Sequence, residues 1–143
     1  MSPTNPSAGP ELVELLHRFF HYLDTSRYAE LVAMFDEQGV WLRQGEKLRG
    51  HAAILEAMNA RPTTQRIRHI ITNAFVAKGE NGEATLQSYM TAYRYDDGTV
   101  REGVVKIPGP FRVSVVSTTF RRGGADWRIV EQDIVPEFEF DTR

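Results

Sequence analysis

The stretch Arg66-Ile-Arg-His-Ile-Ile-Thr-Asn-Ala-Phe-Val76 decides the fold class of this chain. It is rich in Ile, Thr, Phe and Val, the residue types that are enriched in β-strands. Successive side chains of a strand point to opposite faces, so we expect His69 and Asn73 on one face, beside Ile71 and Phe75. An imidazole and an amide among large apolar groups suit the wall of a ligand pocket, and a hydrogen-bonded core suits them equally well. From this strand alone both interpretations stay open.

Three helices are predicted before this strand. Their apolar residues recur every three or four positions, which is the spacing of one buried helix face. The predicted spans are 10–24, which opens on Pro10, then 27–35, with Thr25 and Ser26 as candidate N-caps, and 51–60. Gly39 is expected to break the second helix, ahead of a short strand at 40–42.

From Arg66 onward the apolar pattern has the period of strands. Strands are predicted at 66–77, 84–95, 111–122 and 126–135, with a long loop at 96–110 that we expect to act as a lid or a subunit contact. Helices first and hairpin-linked strands afterwards form an α+β pattern. Long strands packed on three short helices must curve to cover their apolar face, which predicts a cone with a hollow inside. Residues 1–10 are expected to be a flexible lead-in, and 11–143 a single domain.

Composition excludes several classes of function. With 17 basic and 19 acidic residues the net charge is −2, so no overall field attracts nucleic acid or an anionic membrane. The absence of cysteine removes disulfides, thiolate nucleophiles and zinc-thiolate sites, and it fits a cytoplasmic location. No signal peptide or membrane span is expected, and no histidine and carboxylate spacing predicts a metal site.

Five short motifs, taken in their order and spacing, resemble the SnoaL-like group of the NTF2-like superfamily, which includes scytalone dehydratase and bile-acid dehydratase relatives. The resemblance implies an NTF2-like cone in which three N-terminal helices pack in a strongly curved, mixed and mostly antiparallel sheet. The motifs are Leu23-Asp24-Thr25 with Tyr28 and Leu31, Phe35 to Trp41, Arg49-Gly50 with Ile54, Arg68-His69 through Asn73, and Trp127-Arg128-Ile129.

The resemblance also implies a catalytic pair. In dehydratase-like members an Asp at the end of the first helix hydrogen-bonds a His on the first long strand, and the matching residues here are Asp24 and His69. A carboxylate that accepts Nδ1–H fixes the histidine tautomer and leaves Nε2 free to take and return a proton. The implied activity is that of a cofactor-free lyase (a dehydratase) or an isomerase, acting on a small apolar, cyclic or polyketide-like carbonyl compound. Without the resemblance, Asp24 is interpreted as a helix-end or turn residue, or as the N-cap of the next helix.

Three further residues are candidates for contact with a substrate. Trp41 could form a flat wall for a ring, Tyr22 could bring its hydroxyl to the cavity, and Asn73 could orient a ligand from the face of His69. Each has a structural alternative, as a core or hydrogen-bonded residue. Arginines 43, 94 and 112 are expected to be solvated or paired at the surface, and binding of a substrate carboxylate is the alternative for them.

Departures from the family pattern disfavour two of the reactions known among its relatives. Leu23 stands where scytalone dehydratase has a tyrosine, and no histidine follows Ile70, so the scytalone reaction itself is disfavoured. Ketosteroid isomerase chemistry is also disfavoured, because its acidic base would fall near Leu42.

A second class of function stays open beside the enzyme. It is a non-catalytic small-ligand-binding or assembly module, such as a protein resembling a dioxygenase β-subunit. Under either hypothesis a homodimer or homotrimer is expected, because the outer sheet face carries Val113, Val115 or their alternates.

Overall fold

The computed structural model describes residues 8–141, and within them the chain forms three helices and six strands. In chain order these are α1 Gly9–Asp24, α2 Tyr28–Ala33, β1 Phe35–Arg43, β2 Glu46–Arg49, α3 His51–Asn59, β3 Arg66–Glu80, β4 Glu83–Tyr95, β5 Arg112–Gly123 and β6 Asp126–Glu139. The strands form one curved sheet in the order β2-β1-β6-β5-β4-β3, against which the helices pack. Only β1 and β6 run parallel. The predicted α+β class and the mixed, mostly antiparallel sheet are confirmed.

The start of the domain differs slightly from the prediction. Residues 1–7 of the expected lead-in lie outside the described residues. Ala8 is buried and Gly9 already begins α1, so residues 8–10 belong to the folded domain.

The core forms between α1 and the inner face of the sheet. Five residues of α1 are buried, namely Leu12, Leu16, Phe19, Phe20 and Leu23. The ring of Phe19 makes edge-to-face contacts with Phe20, Phe35 and Trp41, with centroids 5.1, 5.7 and 5.2 Å apart. Aromatic pairs of this kind add about 0.5–1.5 kcal/mol each beyond their buried area. They fix α1 against β1, while the helix also packs on β3.

The C-terminal end of α1 is closed by backbone hydrogen bonds. Ser26 adopts a left-handed conformation with φ 59°, and the Arg27 N–H donates to the Tyr22 carbonyl at 2.8 Å. The Ser26 N–H donates to the Leu23 carbonyl at 3.4 Å, which completes a Schellman motif. The predicted N-cap role for Thr25 or Ser26 is therefore wrong, because both residues terminate α1, and the N-cap of α2 is Arg27. The motif makes Asp24 the last helical residue.

Gly39 does not break a helix. The second helix already ends at Ala33, and Gly39 lies within β1, where the pairing with β6 shifts register between Phe35 and Val40. A Cβ atom at Gly39 would lie 2.8 Å from the Ile129 carbonyl oxygen, so glycine is required by the close approach of two backbones.

Replacing Gly39 by alanine should therefore destabilise the protein by about 1–3 kcal/mol, the usual range for forcing an extra carbon into a packed site. The free energy of unfolding from urea titration measures this. Gly109→Ala is the matched control, because no atom lies within 4 Å of its added Cβ. Equal stability of the two variants would contradict the explanation.

The strand that decides the fold extends further than predicted and changes face at its middle. Its pairing with β4 shifts between Thr72 and Phe75, and Asn73 adopts a left-handed conformation with φ 57°. His69 therefore lies on the inner face, whereas Asn73 is exposed and Phe75 is 53% exposed. The expectation that Asn73 shares the face of His69 is wrong, because the bulge interrupts the alternation.

The segment between β4 and β5 contains no helix or strand, as predicted. Arg66 anchors it by donating to the Gly103 carbonyl at 2.7 Å and to the Arg101 carbonyl. Its role as a lid or subunit contact stays a prediction. None of the helices within residues 8–141 is long and apolar enough to span a membrane.

Candidate active site

Two hydrogen bonds join Asp24 at the end of α1 to His69 on β3. The His69 ring donates Nδ1–H to Asp24 Oδ1 at 2.5 Å, and the His69 backbone N–H donates to Asp24 Oδ2 at 2.9 Å. Both side chains are largely buried, with exposed fractions of 8% for His69 and 9% for Asp24. Because the carboxylate occupies Nδ1, the neutral ring carries its proton there and leaves Nε2 as an acceptor. Among the described residues, none hydrogen-bonds Nε2.

His69 lines a pocket of about 300 Å³ at one end of the inner sheet face. Its partly apolar wall includes Leu23, Ile67, Met90, Phe111 and Ile134. An outer cleft of about 730 Å³ shares part of this lining and reaches exposed residues such as Gln44 and Pro136. The pocket therefore opens to solvent and is large enough for a ring-sized molecule.

Four arginines line the same pocket, namely Arg43, Arg61, Arg94 and Arg112, and no acidic residue of the described part of the chain does. The sequence led us to expect surface positions for three of them, and this expectation is wrong for Arg43, which is half-buried with its guanidinium 5.0 Å from the Trp41 ring centroid. Burial, reinforced by the nearby Arg61 charge, lowers the pKa of Arg43 from its usual value. The pocket wall is thus strongly cationic.

Two of these arginines have partners within the protein. Arg61 donates through Nη1 to the Leu23 carbonyl at 3.1 Å and to the Tyr28 hydroxyl at 3.0 Å, so a cation sits at the C-terminus of α1 beside Asp24. Arg112 donates through Nη2 to Glu139 at 2.9 Å, as the expected surface pairing predicts, although its own side chain is only 23% exposed. Arg61 was missed by sequence reasoning, since a lone arginine after a helix carries no distinguishing signal.

The structure places Trp41 at the junction of the core and the pocket. It is fully buried against Phe19 and Phe35, and it also lines the pocket. Its indole N–H has no hydrogen-bond partner among the described residues.

Tyr22 and Asn73 do not line the pocket. The Tyr22 ring is half-buried at the edge of the core, with the Arg27 guanidinium 5.1 Å from its centroid.

Arg94 and Arg112 have the phase of the inward-facing residues of their strands. In β4 the residues Ser88, Met90 and Ala92 face inward, and Arg94 follows in the same phase. In β5 Arg112 has the phase of the buried Ser114 and Val116. Both strands mix polar and apolar residues on each face, so the inward phase could not be chosen from the sequence. Within residues 8–141 no three His, Asp or Glu side chains form a metal-ligand group.

The sequence matches a known protein family. A family model described as a SnoaL-like domain matches residues 9–133. The chain belongs to the SnoaL-like family. This family has the NTF2-like fold and includes dehydratases, isomerases and cyclases. No protein of curated function matches the chain significantly.

Solved structures similar to this SnoaL-like chain agree in fold. Aln2 from a Streptomyces species matches with a TM-score of 0.77 and 19% identity, over 94% of each chain. An NTF2-like protein with a cystatin-like fold from Novosphingobium aromaticivorans matches with a TM-score of 0.72 and 25% identity, over 87% of this chain and 79% of that one. A candidate scytalone dehydratase from the same organism matches with a TM-score of 0.72 and 15% identity, over 92% and 87%.

Removing the carboxylate of this SnoaL-like site should destabilise the fold measurably. Asp24→Ala leaves two buried N–H donors of His69 without an acceptor, which costs about 1–3 kcal/mol. Urea unfolding measures the loss. Asp126→Ala is the control, because that side chain is 74% exposed and its loss should change stability by no more than about 0.5 kcal/mol. An Asp24→Ala variant as stable as this control would contradict the buried hydrogen-bond geometry.

Proposed function

We propose that this protein is a cofactor-free lyase of the dehydratase type, or an isomerase, acting on a small cyclic or polyketide-like carbonyl compound. The observation that carries the proposal is the buried Asp24–His69 pair at the wall of an open pocket. His69 is the general acid and base, and Asp24 orients it. Trp41 lies behind the pocket wall, fully buried, and supports the Arg43 guanidinium over its ring.

The chemistry follows from the free nitrogen of His69. Nε2 takes a proton from the carbon beside the carbonyl, and the electrons of the broken C–H bond form an enolate. For a dehydratase, the enolate then expels the hydroxyl of the next carbon as Nε2–H returns its proton, so that one water leaves and a C=C bond forms. For an isomerase, the proton returns to a different carbon. Asp24 stabilises the imidazolium that exists between the two transfers.

The pocket supports the enzyme over the non-catalytic module. A binding or assembly module needs no acid/base group, and a cone sealed by side chains would favour that reading. Here a cavity of about 300 Å³ reaches solvent and converges on a histidine whose tautomer is fixed. A cavity of this size with few placed polar groups is typical of small-molecule sites.

The proposal predicts proton exchange that depends on the pair. With a panel of cyclic β-hydroxy ketones in deuterated water, the wild-type protein should exchange α-protons or eliminate water, as followed by NMR. Asp24→Asn and His69→Ala should each lower the rate by at least about 10²-fold, the scale of a lost acid/base group.

His17→Ala is the matched control, because His17 is exposed on α1 and should leave the rate unchanged. Two results would count against the enzyme: exchange rates that are equal in the wild type and the two site variants, or a whole panel that neither exchanges nor eliminates.

The homodimer or homotrimer expected from the sequence stays a prediction. Apolar side chains of the sheet are exposed, among them Tyr89 (43% exposed), Val135 (50%) and Phe138 (62%). Light scattering at micromolar concentration should give the mass of a dimer or trimer. A monomer would contradict this expectation.

A further inference from the structure

The pocket holds more positive charge than the proposed acid/base reaction requires. Four guanidinium groups belong to its wall, and the carboxylate of Asp24 beside it is engaged by His69. A proton transfer through His69 uses none of these arginines. A partly buried charge without an ion-pair partner, as at Arg43, lowers the stability of a protein, and an anionic occupant of the pocket would compensate it.

Two of the four arginines form no close ion pair and hold no hydrogen bond to another described residue, although Glu46 and Asp96 act on them from a longer distance. Within residues 8–141, no carboxylate lies within 4.0 Å of the guanidinium of Arg43 or Arg94. Arg43 lies over the Trp41 ring, and Arg94 lies over the Phe111 ring at 4.0 Å from its centroid. Stacking on an aromatic face leaves the N–H groups at the guanidinium edge available to a ligand.

Three buried donors of the same pocket also have no partner among the described residues. They are the indole N–H of Trp41, the hydroxyl of Ser114 and the Nε–H of Arg112. Trp41 and Ser114 are fully buried. All three atoms are closed to solvent, so they make the wall behind the pocket surface polar without themselves reaching an occupant.

The sheet register gives the distance between the cationic groups and the proposed base. His69 lies opposite Ala92, and Ala92 lies opposite Arg112, so two strand spacings, about 10 Å, separate the backbones of His69 and Arg112. Arg94 lies opposite Ile67, two residues from His69 and about 7 Å along the strand. A ring-sized molecule beside His69 is therefore long enough to reach Arg94 or Arg112.

Three of the arginines lie toward the opening of the pocket. Arg43, Arg94 and Arg112 line both the inner pocket and the outer cleft, whereas His69 lines only the inner pocket. The outer cleft also contains Glu46, Lys47 and Asp133, so its rim is mixed in charge while the inner wall is cationic.

We infer that the pocket takes an organic carboxylate whose ring lies beside His69 and whose carboxylate is bound by Arg43 and Arg94 near the opening. The inference deepens the proposed function, on which it rests, by naming a cyclic carbonyl acid as the substrate class. Planar guanidinium groups match the two oxygens of a carboxylate, and hydrogen bonds between charged groups are roughly twice as strong as neutral ones. The lowered pKa of Arg43 agrees, since an anion would restore what burial costs its charged form.

The test compares naphthoate with the neutral, nearly isosteric naphthamide by isothermal titration calorimetry at low salt. The wild-type protein should bind naphthoate at least about 10-fold more tightly, and added salt should weaken the preference. The double variant Arg43→Gln/Arg94→Gln should bind both compounds alike. Arg94→Gln alone, at an exposed position, should lose part of the preference and guards against misfolding of the double variant. Near-ultraviolet circular dichroism checks the fold of each.

Arg122→Gln is the matched control, because this exposed arginine lies over Trp127 outside the pocket and should keep the full preference. Equal binding of the two compounds by the wild type, or no binding of either, would overturn the inference. So would a preference that survives in the double variant. Tighter binding of naphthyl phosphate than of naphthoate by about 10-fold or more would overturn the carboxylate assignment in favour of a phosphate.

The same titration with His69→Ala separates this inference from the proposed function. The carboxylate preference comes from the arginines, so His69→Ala should keep it while losing proton exchange. A protein that prefers naphthoate and catalyses no exchange retains the inferred ligand class and loses the enzyme. A protein that exchanges α-protons without any carboxylate preference retains the enzyme and loses the inferred substrate class.

Discussion

The paired hydrogen bonds between Asp24 and His69 connect the two parts of this fold. One carboxylate accepts both the ring N–H and the backbone N–H of the same histidine, so it fixes the position of β3 as well as the orientation of the imidazole. This requires α1 to stop at Asp24, which the Schellman motif at Ser26 ensures, and Arg61 holds the Leu23 carbonyl just before it. The aromatic contacts of Phe19 then hold the other side of the helix. Helix termination, core packing and the candidate site therefore depend on one short segment.

The sheet supplies the rest of the pocket through simple alternation. Inner-face residues of β4 and β5 are apolar or small where they meet α1, as at Leu86 and Val116, and become arginines where the strands extend past the core. The same phase that buries Ala92 brings Arg94 to the pocket opening. The NTF2-like cone thus needs no special backbone geometry to make a cationic opening above an apolar interior. An arginine in place of an apolar residue at an inward-facing position of a regular strand is enough.

Periodicity and the order of elements were sufficient to predict the fold class and, within one residue, the starts of the four long strands, because strong patterns of period 3.6 and 2 dominate the two halves of the chain. The proximity of Asp24 and His69 came only from the family resemblance, since nothing local links two residues 45 positions apart. Asn73 was placed wrongly because a β-bulge changes the face of a strand without a clear signal in its sequence. Gly39 was misread because glycine serves helix ends and close backbone contacts alike. The sequence named Arg43, Arg94 and Arg112 but could not place them at the pocket, because that depends on which sheet face is buried, and it missed Arg61.

The arginines of the pocket wall are energetically unfavourable while the pocket is empty. Removing a charged group from water is unfavourable unless a partner compensates it, and at Arg43 burial and the Arg61 charge outweigh the attraction of Glu46. A purely structural role would be filled better by an apolar residue of similar volume, which would pack against Trp41 without this penalty. Arg112 illustrates the contrast, since Glu139 neutralises part of its charge while its buried Nε–H has no protein acceptor among the described residues. Unfavourable electrostatics at the walls of a pocket that also contains an oriented histidine is the pattern expected of a binding site whose charge is balanced by its ligand.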